Sequence, residues 1–342
     1  APGPGRDGIP PRPRPSARRG PKGASLVNAP DRRGLPARVW GATWRIIGFA
    51  LLVAAFGIVG SFPARALPEG EIPWVGTAVS LAAALAASWV MMVGVERRPF
   101  GAVGLAPSRV AIRELVVGTG IGAGLLALAV ILQALTRHVG WIPDAGTPGG
   151  YLRFAAWTLA FFALAAALEE VLFRGYPFQV LVRAVGAWPA MLLSALLFAA
   201  VHAGNPNVRP LGLANICLAG VLLSVAYLRT RSLWFATAIH LGWNWTMSTL
   251  LDLPVSGLDW DTPLYTGVET GPDWWTGGAF GPEAGVTGAL VLAAGTAWLL
   301  RTGRLVVASE VLALRPLVDD PPAEAPPDGP SSGEAPSARG DG

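Results

Sequence analysis

Two adjacent glutamates, Glu169 and Glu170, end a long apolar run, and Arg174 follows four residues after the second of them. Two of the three histidines in the chain, His202 and His240, also lie within apolar runs. An ionisable side chain at the centre of a bilayer costs about 2.5–3.5 kcal/mol or more, so such residues usually face the interior of a helix bundle. Their presence in a chain this apolar predicts a functional site inside it.

The spacing of the three charged residues divides them between two faces of one helix. Glu170 and Arg174 are four residues apart, so a helix brings them together as an ion pair. A purely structural lock is one interpretation of that pair. Glu169 lies about 100° around the helix from Glu170 and cannot easily share the same arginine. It is therefore expected to face a different partner.

Two further pairs show the same four-residue spacing. Phe198 precedes His202 in the stretch FAAVH, and His240 precedes Asn244 in the stretch HLGWN, so each pair shares one face of a helix. A single histidine in a span is often a hydrogen-bonded packing residue. Two histidines, an asparagine and an unpaired glutamate together favour a functional site over packing alone.

These residue types could hydrolyse a peptide bond. Glu169 and His202 could activate one water molecule as the nucleophile. The amide of Asn244, with His240 beside it, could stabilise the oxyanion that forms when water attacks a carbonyl. The hydrolysis needs a wet cavity, which we expect to open to the cytoplasmic side.

The same motifs resemble a known family. The stretch from Glu169 to Arg174 reads EExxxR, the stretch ending at His202 reads FxxxH, and the stretch from His240 to Asn244 reads HxxxN. Their order and intervals, over about residues 150–250, resemble the CPBP family of intramembrane proteases. That family includes type II CAAX prenyl endopeptidases and bacteriocin-processing or immunity proteins.

The resemblance implies specific roles and a fold. Glu169 and His202 would be the water-activating pair, and His240 and Asn244 would act on the transition state or at a metal. The family is often called metalloprotease, and zinc usually takes three protein ligands plus water. Glu169, His202 and His240 could supply such a set, which permits a divalent metal such as Zn²⁺ without requiring it. Glu170, Arg174 and Phe198 would support the site structurally.

Other protease types fit the sequence less well. The chain has no HExxH motif, no aspartate in a predicted span, and no serine in a GxSxG-like setting paired with a histidine in a span. A proton-coupled small transporter is the rival function, but it predicts two similar halves with broken helices, and no internal repeat is found. A catalytically silent immunity or scaffold protein of the same fold is a third alternative.

Composition indicates a protein surrounded largely by lipid. The 342 residues are 52% hydrophobic and 14% charged, against about a quarter charged in soluble proteins. Since a membrane span needs about 20 mainly apolar residues, we predict an all-α polytopic membrane helix bundle with about eight transmembrane helices. The predicted spans are 40–62, 73–94, 113–135, 152–175, 187–203, 211–229, 233–251 and 285–302. The run GTGIGAG within the third span predicts close helix packing.

The domain organisation follows from these spans. We predict a disordered basic tail, three transmembrane helices, a catalytic core of four more, an acidic Trp-rich external loop, a last helix with its flank, and a disordered acidic tail. The corresponding ranges are 1–38, 39–148, 149–252, 253–284, 285–315 and 316–342. The expected partners are the lipid bilayer and a membrane-associated peptide or protein, and the basic tail lacks the folded platform that nucleic-acid binding needs.

Glu169 and His202 can meet only if they lie at the same depth in the membrane. If the fourth helix ended at Arg174 near the inner surface, Glu169 could not reach His202. If the helical path instead continues, kinked at 175–177, to about Gly186, both residues lie roughly 22–25 Å from the same turn. We therefore predict a kinked continuation and a site within the membrane.

The distribution of arginine predicts the orientation of the protein in the cell membrane. Alternate connections carry arginines, whereas the connection 252–284 carries six acidic residues and no Lys or Arg. Because basic residues mark the cytoplasmic side, both termini are predicted to be cytoplasmic. A reporter fused after Val318 should therefore be active only in its cytoplasmic form. A signal from a reporter that works only outside the cytoplasm would refute this topology.

Overall fold

A computed structural model describes residues 34–62, 72–107 and 109–320 of the protein. These residues form helices packed into a bundle, with one two-stranded sheet at an end of it. The prediction of an all-α membrane bundle is confirmed. The α-helices are α1 Leu35–Ser61, α2 Ile72–Trp89, α3 Arg109–Leu135, α4 Pro148–Arg174, α5 Tyr176–Val185, α6 Ala187–Val201, α7 Pro210–Thr230, α8 Leu233–Trp245, α9 Asp273–Thr276, α10 Val286–Arg301 and α11 Ser309–Ala313.

Five helical stretches are long and apolar enough to cross a membrane, judged by length and composition. They are Leu35–Ser61, Trp74–Val95, Val110–Leu135, Pro148–Val185 and Pro210–Thr230. Two shorter apolar helices, α6 and α10, and α8 with its π-helical continuation Thr246–Leu250 cover the other predicted spans. The chain is thus built as a multi-pass membrane protein, and the number of eight crossings stays a prediction.

The helical path does continue past Arg174, as predicted, with a break at Gly175. Gly175 separates α4 from α5 with an extended ψ of −137°. A Cβ atom at this position would lie 2.2 Å from the carbonyl oxygen of Val171, so only glycine fits there. Pro177 follows in the first turn of α5, where its missing N–H leaves no bond unmade. The kink therefore redirects the chain without ending its passage through the bundle.

Glycines bring α3 and α8 into close contact. A Cβ atom at Gly122 would lie 2.0 Å from the carbonyl oxygen of Ile239, and one at Gly242 would lie 2.2 Å from that of Thr119. Gly118, one turn before Gly122, faces the same helix. The predicted close packing is confirmed. It fixes the position of α8, the helix that carries both residues of the HxxxN motif.

Charged side chains cluster at one end of the bundle, which we call the arginine end. Glu96 accepts hydrogen bonds from Arg45, Tyr176 and Arg183 at 2.8–3.1 Å. Burial alone would raise the pKa of Glu96, but Arg183 and Arg45 outweigh it and hold that pKa below its usual range. The cluster joins α1, α5 and the end of the π-helical continuation of α2 (Val90–Val95), so it fixes three elements at one level.

Both predicted tails overlap the folded part of the chain by a few residues. Most of the ranges 1–38 and 316–342 falls outside the described residues, but α1 already starts at Leu35. The range 316–320 also packs on the arginine end: Leu317 donates its N–H to Gln179 at 2.7 Å, and Asp319 accepts from Arg231. These contacts overturn the prediction of disorder for residues 35–38 and 316–320. These two short segments have the composition of a tail, but contacts with buried residues hold them in place.

The opposite end of the bundle carries the sheet and a long folded segment. Strand β1 (Val139–Pro143) pairs antiparallel with β2 (Tyr265–Glu269), in the register Val139 opposite Glu269. Strand β2 belongs to the segment 252–285, which we call the strap, and which joins the π-helical end of α8 to α10. The sequence predicted a loop here. The strap instead folds into β2, α9 and two 3-10 turns that pack over the bundle.

The Glu96 cluster generates a stability prediction. Glu96→Gln should lower the free energy of unfolding by about 1.5–3 kcal/mol, because hydrogen bonds to a charged group are lost. Since the pKa of Glu96 is lowered on folding, its contribution is present above the ordinary carboxyl pKa and is lost as pH falls through the folded value. Thermal unfolding in detergent at pH 7 measures the effect.

The matched control is Arg209→Gln. Arg209 pairs with Asp273 at 2.5 Å, but the two side chains are 64% and 41% exposed. An exposed pair contributes about 0–1 kcal/mol, so this variant should unfold almost like the wild-type protein. Equal loss of stability in both variants would contradict the anchoring role of Glu96.

Candidate active site

One face of α4 carries the first half of the site. Thr158, Phe162, Ala166, Glu170 and Arg174 recur every four residues, and all five are buried. This spacing places them in one stripe that faces the neighbouring helices. The glutamate that precedes Glu170 lies beside the stripe rather than in it, as the sequence predicted.

Arg174 is fully buried and is held by three kinds of contact. It donates to Glu170 Oε1 at 3.1 Å and to the carbonyl oxygen of Gly220 on α7 at 3.0 Å. Its guanidinium carbon also lies 4.5 Å from the ring centroid of Phe198. The predicted ion pair between Glu170 and Arg174 is thus present, and it is part of a larger arrangement that joins α4, α6 and α7.

Glu170 has a second partner that the sequence analysis did not foresee. His240 Nδ1 lies 3.0 Å from Glu170 Oε1. Because a carboxylate oxygen accepts, Nδ1 carries the proton, and the Nε2 atom of neutral His240 keeps its lone pair. Glu170 therefore sets the tautomer and orientation of a predicted site residue as well as pairing with Arg174.

His202 is held in the same way by a different acceptor. Its Nδ1 atom lies 2.7 Å from the carbonyl oxygen of Phe198, one turn earlier in α6. A carbonyl can only accept, so Nδ1–H donates and Nε2 faces the cavity with its lone pair. The Phe198 ring packs against both imidazoles, with centroid distances of 4.8 Å to His202 and 6.1 Å to His240. The aromatic residue of the FxxxH motif therefore packs against both histidines and the guanidinium of Arg174.

Glu169 lies between the two histidines. Its Oε2 atom is 4.0 Å from His202 Nε2 and 3.8 Å from His240 Nε2, beyond direct hydrogen-bond range. That oxygen is buried and has no hydrogen-bond partner among the described residues. Glu169 Oε2 thus has an imidazole acceptor atom within 4.0 Å on each of two histidines. A water molecule there can donate to Glu169 and to a histidine at once, which is the arrangement that water activation requires.

The fit of a metal ion can be tested on the same three atoms. A tetrahedral zinc with bonds of about 2.0–2.2 Å keeps its ligands about 3.4 Å apart, which is closer than these atoms lie. Within 34–62, 72–107 and 109–320, no group of three or more His, Cys, Asp or Glu side chains is arranged to hold a metal ion. As placed, the side chains suit a bridging water better than an ion, and the divalent metal stays a prediction.

A cavity of about 500 Å³ contains the predicted site residues. Glu169, His202, His240 and Asn244 all line it, so the structure brings together the four residues that the sequence assigned to catalysis. Most of the wall is apolar, with side chains of α3, α4, α7, α8 and α10. Asn244 lies one helical turn after His240 and lines the same cavity.

Sequence reasoning missed one carboxylate in this cavity, Glu283. It was counted as one of the acidic residues of an external loop, but its residue exposure is 8%. Its two carboxylate oxygens accept from Ser256 Oγ at 2.6 Å and from Trp243 Nε1 at 3.4 Å. Burial raises the pKa of Glu283, and the hydrogen bond from Ser256 offsets part of that effect. The stretch GPEAG, small and apolar around a lone glutamate, was the available signal.

The cavity lies toward the strap end of the bundle. Its wall includes Asn205, after α6, and Val255, Ser256, Leu258 and Trp260 from the strap. The arginine end is at the other side, and the predicted orientation places that end in the cytoplasm. The expectation of a cavity open to the cytoplasm therefore conflicts with the expectation of cytoplasmic termini. With the termini in the cytoplasm, the strap and the cavity end beside it face outward.

Comparison with known proteins supports the assignment made from the motifs. Residues 151–246 match the family model described as Type II CAAX prenyl endopeptidase Rce1-like. The matched segment contains Glu169, His202, His240 and Asn244, the four predicted catalytic residues that line the cavity. The resemblance to CAAX proteases is confirmed for this segment. No curated protein and no solved structure matches the chain.

The two adjacent glutamates should differ when they are neutralised. Glu170→Gln should cost about 3–5 kcal/mol of stability, because it leaves Arg174 buried without a counter-charge. Glu169→Gln should leave stability nearly unchanged, because the Glu169 side chain is 30% exposed and makes no ion pair with an arginine. Thermal unfolding of both variants in detergent compares them directly. Identical unfolding temperatures would contradict this division of roles.

Proposed function

We propose that this protein is an intramembrane endopeptidase, because residues 151–246 match a family model described as Type II CAAX prenyl endopeptidase Rce1-like. It hydrolyses a peptide bond of a membrane-associated peptide or protein. The observation that carries the proposal is the convergence of Glu169 Oε2 with the Nε2 atoms of His202 and His240 inside an apolar cavity.

The proposed reaction begins with a water molecule between Glu169 and His202. Glu169 accepts a proton as the water oxygen attacks the carbonyl carbon of the scissile bond. The side-chain N–H of Asn244 donates to the oxyanion of the tetrahedral intermediate. The C–N bond then breaks, and the proton held by Glu169 passes to the leaving nitrogen. The products are a carboxylic acid and an amine, which ionise to a carboxylate and an ammonium group, so every proton is accounted for.

The roles of Glu170 and Arg174 in this proposal are positional. Glu170 accepts from His240 Nδ1 and so directs His240 Nε2 toward Glu169 Oε2. Arg174 holds Glu170 in place and neutralises it. A peptide must enter in an extended form, because a helical segment uses its carbonyls in its own hydrogen bonds.

The metal is a separate part of the proposal. If Zn²⁺ binds, Glu169, His202 and His240 are the residues that would hold it, after small movements that bring their ligand atoms closer. The ion would supply a Lewis acid for the water. Activity measured against a chelator series decides the question: loss that Zn²⁺ restores indicates a metal, and full activity at all chelator concentrations indicates water activated by side chains alone.

Two alternative functions have less support. A proton-coupled transporter would use the glutamates and histidines as a relay, but the polar cavity residues belong to the segment that matches a protease family. A catalytically silent immunity or scaffold protein does not need a complete set of catalytic residues. Here the water-activating atoms and the oxyanion donor all line one cavity, which favours catalysis.

The proposal is tested with the Glu169→Ala/His202→Ala double variant. The purified protein in detergent should cleave a membrane-associated peptide substrate, and the double variant should not cleave it. The matched control is Arg209→Gln, whose exposed ion pair lies outside the cavity. Full activity in the double variant would end the hypothesis.

Asn244→Ala should act mainly on the transition state. Since one oxyanion donor is removed, kcat should fall about 10²–10³-fold, whereas KM should change little. Steady-state kinetics with the same substrate separates the two constants. A large rise in KM with unchanged kcat would place Asn244 in substrate binding instead.

A further inference from the structure

Glu283 differs from the other buried carboxylate of the site in lacking a permanent cation. Glu170 is paired with Arg174, whereas the two described hydrogen bonds of the Glu283 carboxylate come from the neutral donors Ser256 and Trp243. Taking a carboxylate out of water costs several kcal/mol, and neutral hydrogen bonds offset only part of that cost. Glu283 is therefore a buried carboxyl group whose charged form a nearby cation would stabilise.

The described cavity wall supplies no such cation. No Lys or Arg is among its lining residues, whereas Glu169 and Glu283 both belong to it. His202 also lines the wall, but it is charged only when protonated, and in the proposed reaction it is neutral. Asp259 and Asp261 are exposed on the strap, next to lining residues. Acidic groups that surround a cavity with low-dielectric walls concentrate cations in it and raise their rate of entry.

We propose that Glu283 is a substrate-binding residue that receives a positively charged group of the peptide near the scissile bond. This inference rests on the proposed function and adds a substrate class to it: peptides with a Lys or Arg side chain, or a free amino terminus, close to the cleavage site. In this proposal Glu283 does not contact the reacting atoms. Its role is to determine which peptides bind.

The geometry favours a cation over a neutral amide as the group that Glu283 receives. Ser256 and Trp243 donate to its two oxygens, and because a carboxylate can accept about four hydrogen bonds, acceptor capacity remains on this cavity-lining group. A neutral peptide N–H could fill one of these positions, but it would leave the buried charge uncompensated. A Lys ammonium or an Arg guanidinium would fill them and neutralise the charge together.

The first test uses the wild-type protein and two matched peptides. They carry Arg or its neutral isostere citrulline at each position next to the scissile bond in turn. At one of these positions kcat/KM should be about 10-fold to 100-fold higher for the Arg peptide, as expected for one charge-assisted hydrogen bond. Equal kcat/KM values at every position, with free and with acetylated amino termini, would overturn the proposal.

The second test uses Glu283→Gln. Glutamine keeps the size and hydrogen bonding of the side chain and removes its charge, so the preference for Arg over citrulline should disappear. Asp273→Asn is the matched control, because Asp273 is a carboxylate of the strap that lies outside the cavity. This variant should prefer Arg over citrulline as strongly as the wild-type protein does. Lower stability of the Glu283→Gln variant with an unchanged preference would assign Glu283 a structural role only.

A binding measurement separates this inference from the proposed function. Fluorescence anisotropy of the labelled Arg peptide is compared between Glu169→Gln and Glu169→Gln/Glu283→Gln, neither of which needs to be active. The double variant should bind about 10-fold to 100-fold more weakly, and the citrulline peptide should show no such difference. If the wild-type protein cleaves no peptide but this difference is found, the proposed function fails and the cation site stands. Equal binding overturns the cation site.

If the preference follows a free amino terminus and is lost on acetylation, Glu283 receives the α-amino group. If it follows the Arg side chain, Glu283 receives that side chain. Both results support the proposal and assign the source of the cation.

Discussion

The burial of Arg174 is the constraint on which the site depends. A guanidinium with 0% exposure is tolerated only where a counter-charge and further acceptors surround it, and here these come from α4 and α7, while the Phe198 ring of α6 packs against it. Gly220 allows the close approach: a Cβ atom there would lie 2.9 Å from Ala195 and 3.4 Å from the arginine. A structural pair at this depth therefore fixes α4, α6 and α7 at one level, and that level is where the histidines lie.

The same arrangement explains why two glutamates stand side by side. Arg174 neutralises Glu170 and fixes its position. Glu170 can accept one more hydrogen bond, and the bond from His240 Nδ1 orients that imidazole. Glu169, about 100° around the helix, keeps a buried oxygen that no described residue bonds. One helix turn thus carries a fixed charge that organises the site and an unpaired charge that can take part in chemistry. Neither residue could serve both roles, because an ion pair with Arg174 would lower the basicity that water activation needs.

Much of this was predictable from local spacing. Residues four apart share a helix face whatever surrounds them, so the Glu170–Arg174 pair and the facing motifs followed from the sequence, as did the continuation of the helix to Gly186. The contact between Glu170 and His240 could not be predicted, because it spans 70 residues and depends on how α4 and α8 pack. Glu283 was missed for a related reason. Acidic composition indicated a solvated loop, whereas burial of one member of that loop is decided by tertiary packing.

The strap changes how the cavity must be understood. A catalytic core of four helices would leave the site open at the end where α6 stops at Val201, but Val255 and Trp260 extend the wall there. Trp260 packs on Phe162 at a centroid distance of 4.6 Å and on Phe161 at 5.2 Å, which joins the strap to the helix that carries the glutamates. The segment that closes the cavity also brings a carboxylate into it. Under the proposed function, the helices α4 and α8 and the end of α6 supply the residues that activate water, whereas the strap supplies Glu283 for substrate recognition. Substrate preference could then change without altering the residues that activate water.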